Sequence, residues 1–437
     1  MGFQPERGRL DFPLPPWRLV RQRFEDVREP SVKAAVSGEM TKLRPTVRPG
    51  MTVAVGVGSR GIRHLDEIVK AVVQEFRDMG AAPFIVPAMG SHGGGTAEGQ
   101  AEVLAGYGVT EALVGAQVVP EMDTVLLGRA SVPTVSGGGA PVHFSREALA
   151  ADAVFVVNRV KVHTSFHGPI ESGLGKMLCV GFGKHAGAAG LHRLGAPTFE
   201  HLIPAATRLV LDNVNVLGGL AAVENAYEEV AHLEVVLGPQ IPAREPALLD
   251  LSRRLMPEIP FKHLDVLVVD YLGKDISGDG MDPNITGRHG TWPLTDPERD
   301  PEKIVVLRLT EASYGNACGL GLADVTTRAV VDAIDRQATW TNVVTSLELG
   351  FGRIPLWVDD DRTAIALALS TCGGVEPAEA RMVRVRSTLH LEDIWVSEAL
   401  WQAEGAARSD LEARSEPVEP AFAANGMLAD LPVLERP

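Results

Sequence analysis

Residues 163–192 read HTSFHGPIESGLGKMLCVGFGKHAGAAGLH and hold four of the chain's twelve histidines together with two lysines. Such a stretch can be a phosphate loop, a metal site, or a solvent-facing turn rich in His and Gly. A phosphate loop of the GxxxxGK[ST] type needs a glycine five residues before its GK and a hydroxyl after it. Around Lys176 those positions hold Ile170 and Met177, and around Lys184 they hold Leu178 and His185, so neither lysine qualifies. For zinc, no HExxH is present. His163 and His167 would share a face if they lay on a helix, but Gly168-Pro169 follows at once and argues against one. His64, His143, His201 and His232 read as solvated side chains. His92 stands out because it sits among glycines at a strand end, and His163 and His192 gain weight when taken with Lys176.

Gly56-Val57-Gly58-Ser59-Arg60-Gly61 matches GxGxxG between a strand and a helix. The dinucleotide reading also wants an acidic residue at the end of the next strand to hold a ribose. That strand, APFIVPAMG, supplies none. Two readings stay open: a loop whose N–H groups and Arg60 hold a phosphate or carboxylate, and a plain tight turn.

These residues need a frame, and the hydrophobic pattern predicts an α/β one. MTVAVGVGSRG is a short β-rich run, followed by a segment in which Ile62, Leu65, Ile68, Val69, Val72 and Phe76 recur at helical spacing. APFIVPAMGSHGGGT is a second strand and loop, after which Thr96 can cap the helix AEGQAEVLAGYG. ADAVFVVNRVKVH is a third strand. The stretch LGPQIPAREPALLDLSRRLMPEIPF reads as irregular and separates a second pattern, with strands in HLDVLVVDYLGK and KIVVLRL and a helix over ADVTTRAVVDAIDRQ. The expectation is two αβ domains with mostly parallel sheets, 1–262 and 263–400, and a tail, 401–437, packing loosely or back on the first domain. At 437 residues the chain is too long for one compact core. Ligands of open αβ sheets sit beyond the carboxyl ends of the strands. The loops there, GVGSRGIRH, MGSHGGGT, NRVKVHTSFHG and YLGKDISGDGMDPNITGRHG, are all rich in Gly or polar groups, which points to an active-site cleft between the domains.

A formal charge of −15 disfavours nucleic-acid and anionic-membrane surfaces, which need clustered Lys and Arg. The three cysteines, Cys179, Cys318 and Cys372, form no CxxC pair and so give no disulfide framework or zinc knuckle. With no apolar leader at the start and no run of spanning length, the expected location is the cytoplasm.

GSHGGGTAEGQ, NRVKVHTSFHGPIESGLGKM, GFGKHAGAAGLH and SGDGMDPNITGR together resemble the lactate racemase family, whose members use a nickel-pincer nucleotide, a pyridinium-3,5-bisthiocarboxylic acid mononucleotide of nickel. The resemblance runs from about residue 45 to 225 and continues into the second domain. Its most specific part is the spacing of sixteen residues between Lys176 and His192. It implies that Lys176 carries the nucleotide through a thioamide and that His192 is the protein's nickel ligand. A borderline nitrogen beside soft sulfur suits Ni(II). It further implies that His92 and His163 are the acid/base pair, that Ser59 and Arg60 help to bind, with Arg60 near the substrate carboxylate, and that separate cofactor-synthesis enzymes supply the nucleotide. Three departures mark a distant relative: a longer loop between His163 and Lys176, which makes His167 a competitor for the second role; SGLGK in place of a proline before the lysine; and Val57 in place of an aspartate.

The implied reaction inverts the carbinol carbon of a 2-hydroxy acid. Removing that hydrogen as a proton would build negative charge beside a carboxylate, whereas removing it as hydride leaves a neutral carbonyl and requires a cofactor. A base must also serve the hydroxyl proton, and histidine can act as base one way and acid the other. The polar loop around Asp275, Asp279, Asp282, Asn284 and Arg288 would suit a substrate with further hydroxyls, or is a structural turn cluster. Two other classes remain: a binding protein for the nucleotide or a hydroxy acid without turnover, and a zinc-dependent hydrolase or dehydratase built on His163, His167 and His192.

Overall fold

The structure, a computed structural model, describes residues 10–59, 61–132, 139–290 and 294–431. Arg60 lies outside them. Among the described residues no helix is long and apolar enough to cross a membrane. The chain divides into two compact units, Glu25–Met256 and a second made of Met1–Phe24 with Pro257–Pro437. Each is α/β with mostly parallel strands.

Strand β1 (Trp17–Gln22) belongs to the second unit. In the Glu25–Met256 unit the strands are β2 (Thr52–Val57), β3 (Ala82–Pro87), β4 (Thr124–Ala130), β5 (Ala140–Ser145), β6 (Ala153–Arg159), β7 (Val216–Glu224) and β8 (Val230–Leu237). Among the described residues they form a sheet in the order β3-β2-β6-β7-β8, parallel except for β8, and a separate antiparallel β4–β5 hairpin. Successive side chains of a strand face opposite ways, and here both faces are covered. Val53, Val55 and Val57 pack with Ile68, Val72 and Phe76 of helix Leu65–Asp78. On the other face, Ala54, Val154 and Val156 pack with Leu174, Leu178, Phe182 and Val210. Burial on both sides explains why these strands read as continuous apolar runs. Thr96 caps its helix as expected, accepting from Gly99 N–H at 3.1 Å at the start of Ala97–Gly106.

Two expectations are corrected. The segment read as irregular contains a helix, Ile241–Leu255. Pro242 falls in its first turn, where no N–H is needed. Pro246 lies further in, at a penalty of about 3 kcal/mol. Burial of Ile241, Leu248, Leu249 and Leu255 at roughly 1.5–3 kcal/mol each outweighs it. In the second unit, ADVTTRAVVDAIDRQ is not one helix. Val325–Thr327 is a strand, Arg328–Ala333 is a short helix, and Arg336 and Gln337 already belong to the next helix, Arg336–Ser346. The β-branched run favours extension, and the hydroxyls of Thr326 and Thr327 donate to the carbonyls of Val306 and Leu307 at 2.8 and 2.9 Å.

The second unit adds β9 (Val266–Leu272), β10 (Lys303–Leu309), β11 (Val325–Thr327), β12 (Leu356–Val358), β13 (Met382–Val385), β14 (Asp393–Ser397) and β15 (Leu411–Ala413). Its sheet runs β12-β11-β10-β9-β13-β14-β1-β15 among the described residues. The first five strands are parallel, and β14, β1 and β15 close the sheet antiparallel. The tail stays in this unit: Val418 exchanges two backbone hydrogen bonds with Trp17, and Leu428 N–H donates to Asp361. The polar loop after β9 is engaged in local structure. Asp275 accepts from the Thr310 hydroxyl at 2.6 Å, Asp282 caps the turn Pro283–Thr286, and Arg288 pairs with Asp300 and Asp324.

Candidate functional site

Three neighbouring strands of the Glu25–Met256 sheet deliver the sequence-singled residues at their carboxyl ends. Ser59 follows β2, His92 follows β3, and His163 follows β6, with β2 between the other two. The Ser59 hydroxyl is hydrogen-bonded to His92 Nδ1, and the Tyr107 hydroxyl donates to the Ser59 carbonyl at 3.1 Å. Below the His92 loop lies a buried polar pair. Gln100 donates to the Gly90 carbonyl at 2.8 Å, and Lys184 donates to the Pro87 carbonyl at 2.6 Å and to Gln100 Oε1 at 3.4 Å. Burial pushes the Lys184 ammonium down to about 8, with Glu121 acting the other way. Lys184 thus ties the His92 loop to the start of helix Lys184–His192.

The glycines of GVGSRG have a packing cause. A Cβ at Gly56 would overlap the Phe182 ring, and one at Gly58 would come within 2.6 Å of Met177 Cε and 3.0 Å of Asn158 Oδ1. The strand end is pared to backbone so that the Lys176–Phe182 segment can lie against it.

The loop after β6 is organised by Glu171, whose side chain is wholly buried. It accepts from the backbone N–H of His163 at 2.6 Å and of Gly168 at 3.1 Å, and from Arg253 at 2.6 Å. His167 Nδ1 lies 3.4 Å from the same carboxylate, so His167 is turned towards Glu171. No helix spans His163–His167. Ser165 N–H donates to His163 Nδ1 at 3.0 Å, and the His163 ring lies tilted against Phe166 with centroids 4.3 Å apart.

Lys176 ends a short helical turn, Leu174–Lys176, that runs into a π-helical turn, Met177–Gly181. π-Turns within helices recur at functional sites. The buried carboxyl of Glu245 accepts from Gly175 N–H at 2.8 Å beneath this turn. Burial raises Glu245 to about 7 against the pull of the Gly175 and Leu174 N–H groups. Asn158 donates to the Gly173 carbonyl at 2.9 Å from the end of β6. The half-buried Lys176 places Nζ 5.3 Å from the Phe166 ring centroid, within cation–π range. His192, at the far end of helix Lys184–His192, lies 5.3 Å from Phe199, and Phe199 lies 5.2 Å from Phe166. Burial first, and the Lys176 charge second, lower His192 to about 4.

His163, Lys176 and His192 therefore gather round an aromatic pair, Phe166 and Phe199, and Ser59 joins His92. Among the described residues, no three His, Cys, Asp or Glu side chains come together to hold a metal ion. Burial pushes the Cys179 thiol up to about 12, leaving no thiolate nucleophile there. Sequence reading missed Phe166, Phe199, Glu171, Glu245 and Lys184. Glu171 carried a signal, as the one acid in a stretch of Gly and apolar residues. Glu245 carried none, because its helix was read as irregular.

A family model described as "Domain of unknown function (DUF362)" matches residues 61–243, a span that contains His92, His163, Lys176 and His192. No curated protein matches the chain. Among solved structures, the chain is similar to the lactate racemase apoprotein from Thermoanaerobacterium thermosaccharolyticum, at 13% identity, with 94% of each chain covered and a TM-score of 0.46.

Proposed function

We propose that this protein is a racemase or epimerase of 2-hydroxy acids that works with a nickel-pincer nucleotide. The observation that carries the reading is the gathering of His163, Lys176 and His192 round Phe166 and Phe199, with the Lys176 charge felt at His192. The donor set suits the group. Lys176 offers a primary amine that is only half buried, as covalent attachment to the nucleotide requires. An imidazole binds metal only in its neutral form, and His192, lowered to about 4, is neutral at physiological pH. When bound, the nucleotide would supply a hydride acceptor and donor at the carbinol carbon. The chain's part is to hold it through Lys176 and His192, to grip the substrate carboxylate with Arg60, and to manage the hydroxyl proton with His92 and His163. A zinc hydrolase would need His163, His167 and His192 as joint ligands, and His167 instead faces Glu171.

The test is isotopic. The protein, produced beside the cofactor-synthesis enzymes, should carry nickel and a mass adduct on the Lys176 peptide, and Lys176→Ala should lose the adduct. Inversion of a 2-hydroxy acid in deuterated buffer should then leave the carbinol carbon free of deuterium. Deuterium entering that carbon as fast as inversion proceeds would refute hydride transfer.

A further inference from the structure

Lys176 stands on an element that cannot hold itself. The turn Leu174–Lys176 is three residues long, and its N-cap, Gly173, has no side chain with which to cap it. The first N–H groups of a helix lack partners inside it, and a single turn fixes more backbone than its own hydrogen bonds can offset. Here the missing cap comes from another helix. Glu245 lies on Ile241–Leu255, an element anchored by the burial of Ile241, Leu248 and Leu249. Its side chain reaches the turn and accepts from Gly175 N–H at 2.8 Å. Among the described residues the carboxyl bonds to nothing outside the turn, and its other oxygen has no hydrogen-bond partner. As packing alone, an apolar side chain would fill this buried place at lower cost.

We propose that Glu245 is the positioning residue of Lys176, capping its turn from a distant helix and so fixing the direction in which the lysine leaves it. The role given to Lys176 rests on the racemase reading; the hold of Glu245 on the turn does not. Two neighbours agree with it. Asn158, at the end of β6, donates to the Gly173 carbonyl at 2.9 Å, so the turn is held through a carbonyl as well as an N–H. Gly173 has φ 177°, extended backbone that any residue adopts, yet a Cβ there would come within 2.0 Å of Glu245 Oε1. That glycine makes room for the carboxyl rather than for a bend. So held, Lys176 keeps Nζ 5.3 Å from the Phe166 ring centroid, and its charge acts on His192. A turn without its cap would let the lysine leave that place.

The test is the reactivity of Lys176 towards the N-hydroxysuccinimide ester of acetic acid, in protein without cofactor, read by mass spectrometry of the Lys176 peptide. Lys33 and Lys70, exposed on the same unit, give the reference rates. Glu245→Asp keeps the acid but draws it back by one methylene. It should raise the Lys176 rate at least about fivefold, the shift that one capping hydrogen bond provides. Glu245→Gln keeps the length and an acceptor without the acid, and should stay within about twofold of wild type. Gly173→Ala leaves Glu245 in the chain but pushes its carboxyl off the turn, so it should behave as Glu245→Asp does, and it decides the matter if Glu245→Asp does not fold.

A Lys176 rate that is unchanged or slower in whichever of these two variants folds overturns the proposal. So does a Glu245→Gln protein as reactive as Glu245→Asp, or an equal rise at Lys33 and Lys70, which would mean general loosening. Beside the cofactor-synthesis enzymes, the adduct on Lys176 should fall at least about fivefold in Glu245→Asp and persist in Glu245→Gln. If the wild type forms no adduct, the role given to Lys176 falls, and the acetylation rates still judge Glu245.

Discussion

His192, half-buried, and Glu245, buried, are ionisable groups whose effects on stability run in opposite directions with pH. Burial and the Lys176 charge hold His192 down to about 4, whereas an unfolded histidine titrates near 6.5. As pH falls through that window the unfolded chain takes up a proton that the folded protein does not, so His192 lowers stability on the acid side, by up to roughly 3 kcal/mol. Burial raises Glu245 to about 7, above an unfolded value near 4.3. Here the folded protein keeps its proton longer, so stability is lost as pH rises through the same region, by a similar order. The two slopes largely cancel in the wild type. Urea unfolding of cofactor-free protein, followed by circular dichroism, should separate them. His192→Gln should gain stability relative to wild type at acid pH, and Glu245→Gln should gain it above pH 7. Parallel shifts with no pH dependence would show that neither group titrates as its surroundings dictate.

The elements that carry the site were legible where their pattern was local. The strand ends bearing Ser59, His92 and His163 follow from apolar runs closed by Gly and polar residues. The α/β order follows from strands alternating with helical periodicity. Less legible was anything set by a partner distant in sequence. Helix Ile241–Leu255 was hidden by its prolines, and with it went Glu245 under the Lys176 turn. The GVGSRG glycines invited an anion-loop reading, because the sequence does not reveal that Phe182 lies on Gly56. That contact makes a prediction about the element. Gly56→Ala should destabilise the Glu25–Met256 unit by about 1–3 kcal/mol through overpacking. Adding Phe182→Leu should restore part of the loss, since it removes the atoms in the way. A double variant whose losses simply add would break the link between strand β2 and the Lys176–Phe182 segment.

At the scale of the whole molecule, the two units do not follow the chain in simple order. Residues near the start supply β1, which sits between β14 and β15 in the second unit's sheet. Val20 on that strand is fully buried, paired with Ile394 on one side and Ala413 on the other. All six tryptophans fall within the residue ranges of this unit, at 17, 292, 340, 357, 395 and 401, and none falls within Glu25–Met256. Tryptophan fluorescence therefore reports the second unit, while the unit holding His92, His163, Lys176 and His192 is silent in it. Val20→Asp puts a charge where the wild type buries an apolar side chain, and changes of this kind are among the few that exceed about 4 kcal/mol. The tryptophan-detected urea midpoint should fall steeply in this variant. A midpoint left where the wild type has it would mean that β1 contributes little to the sheet, and that the second unit is complete without the start of the chain.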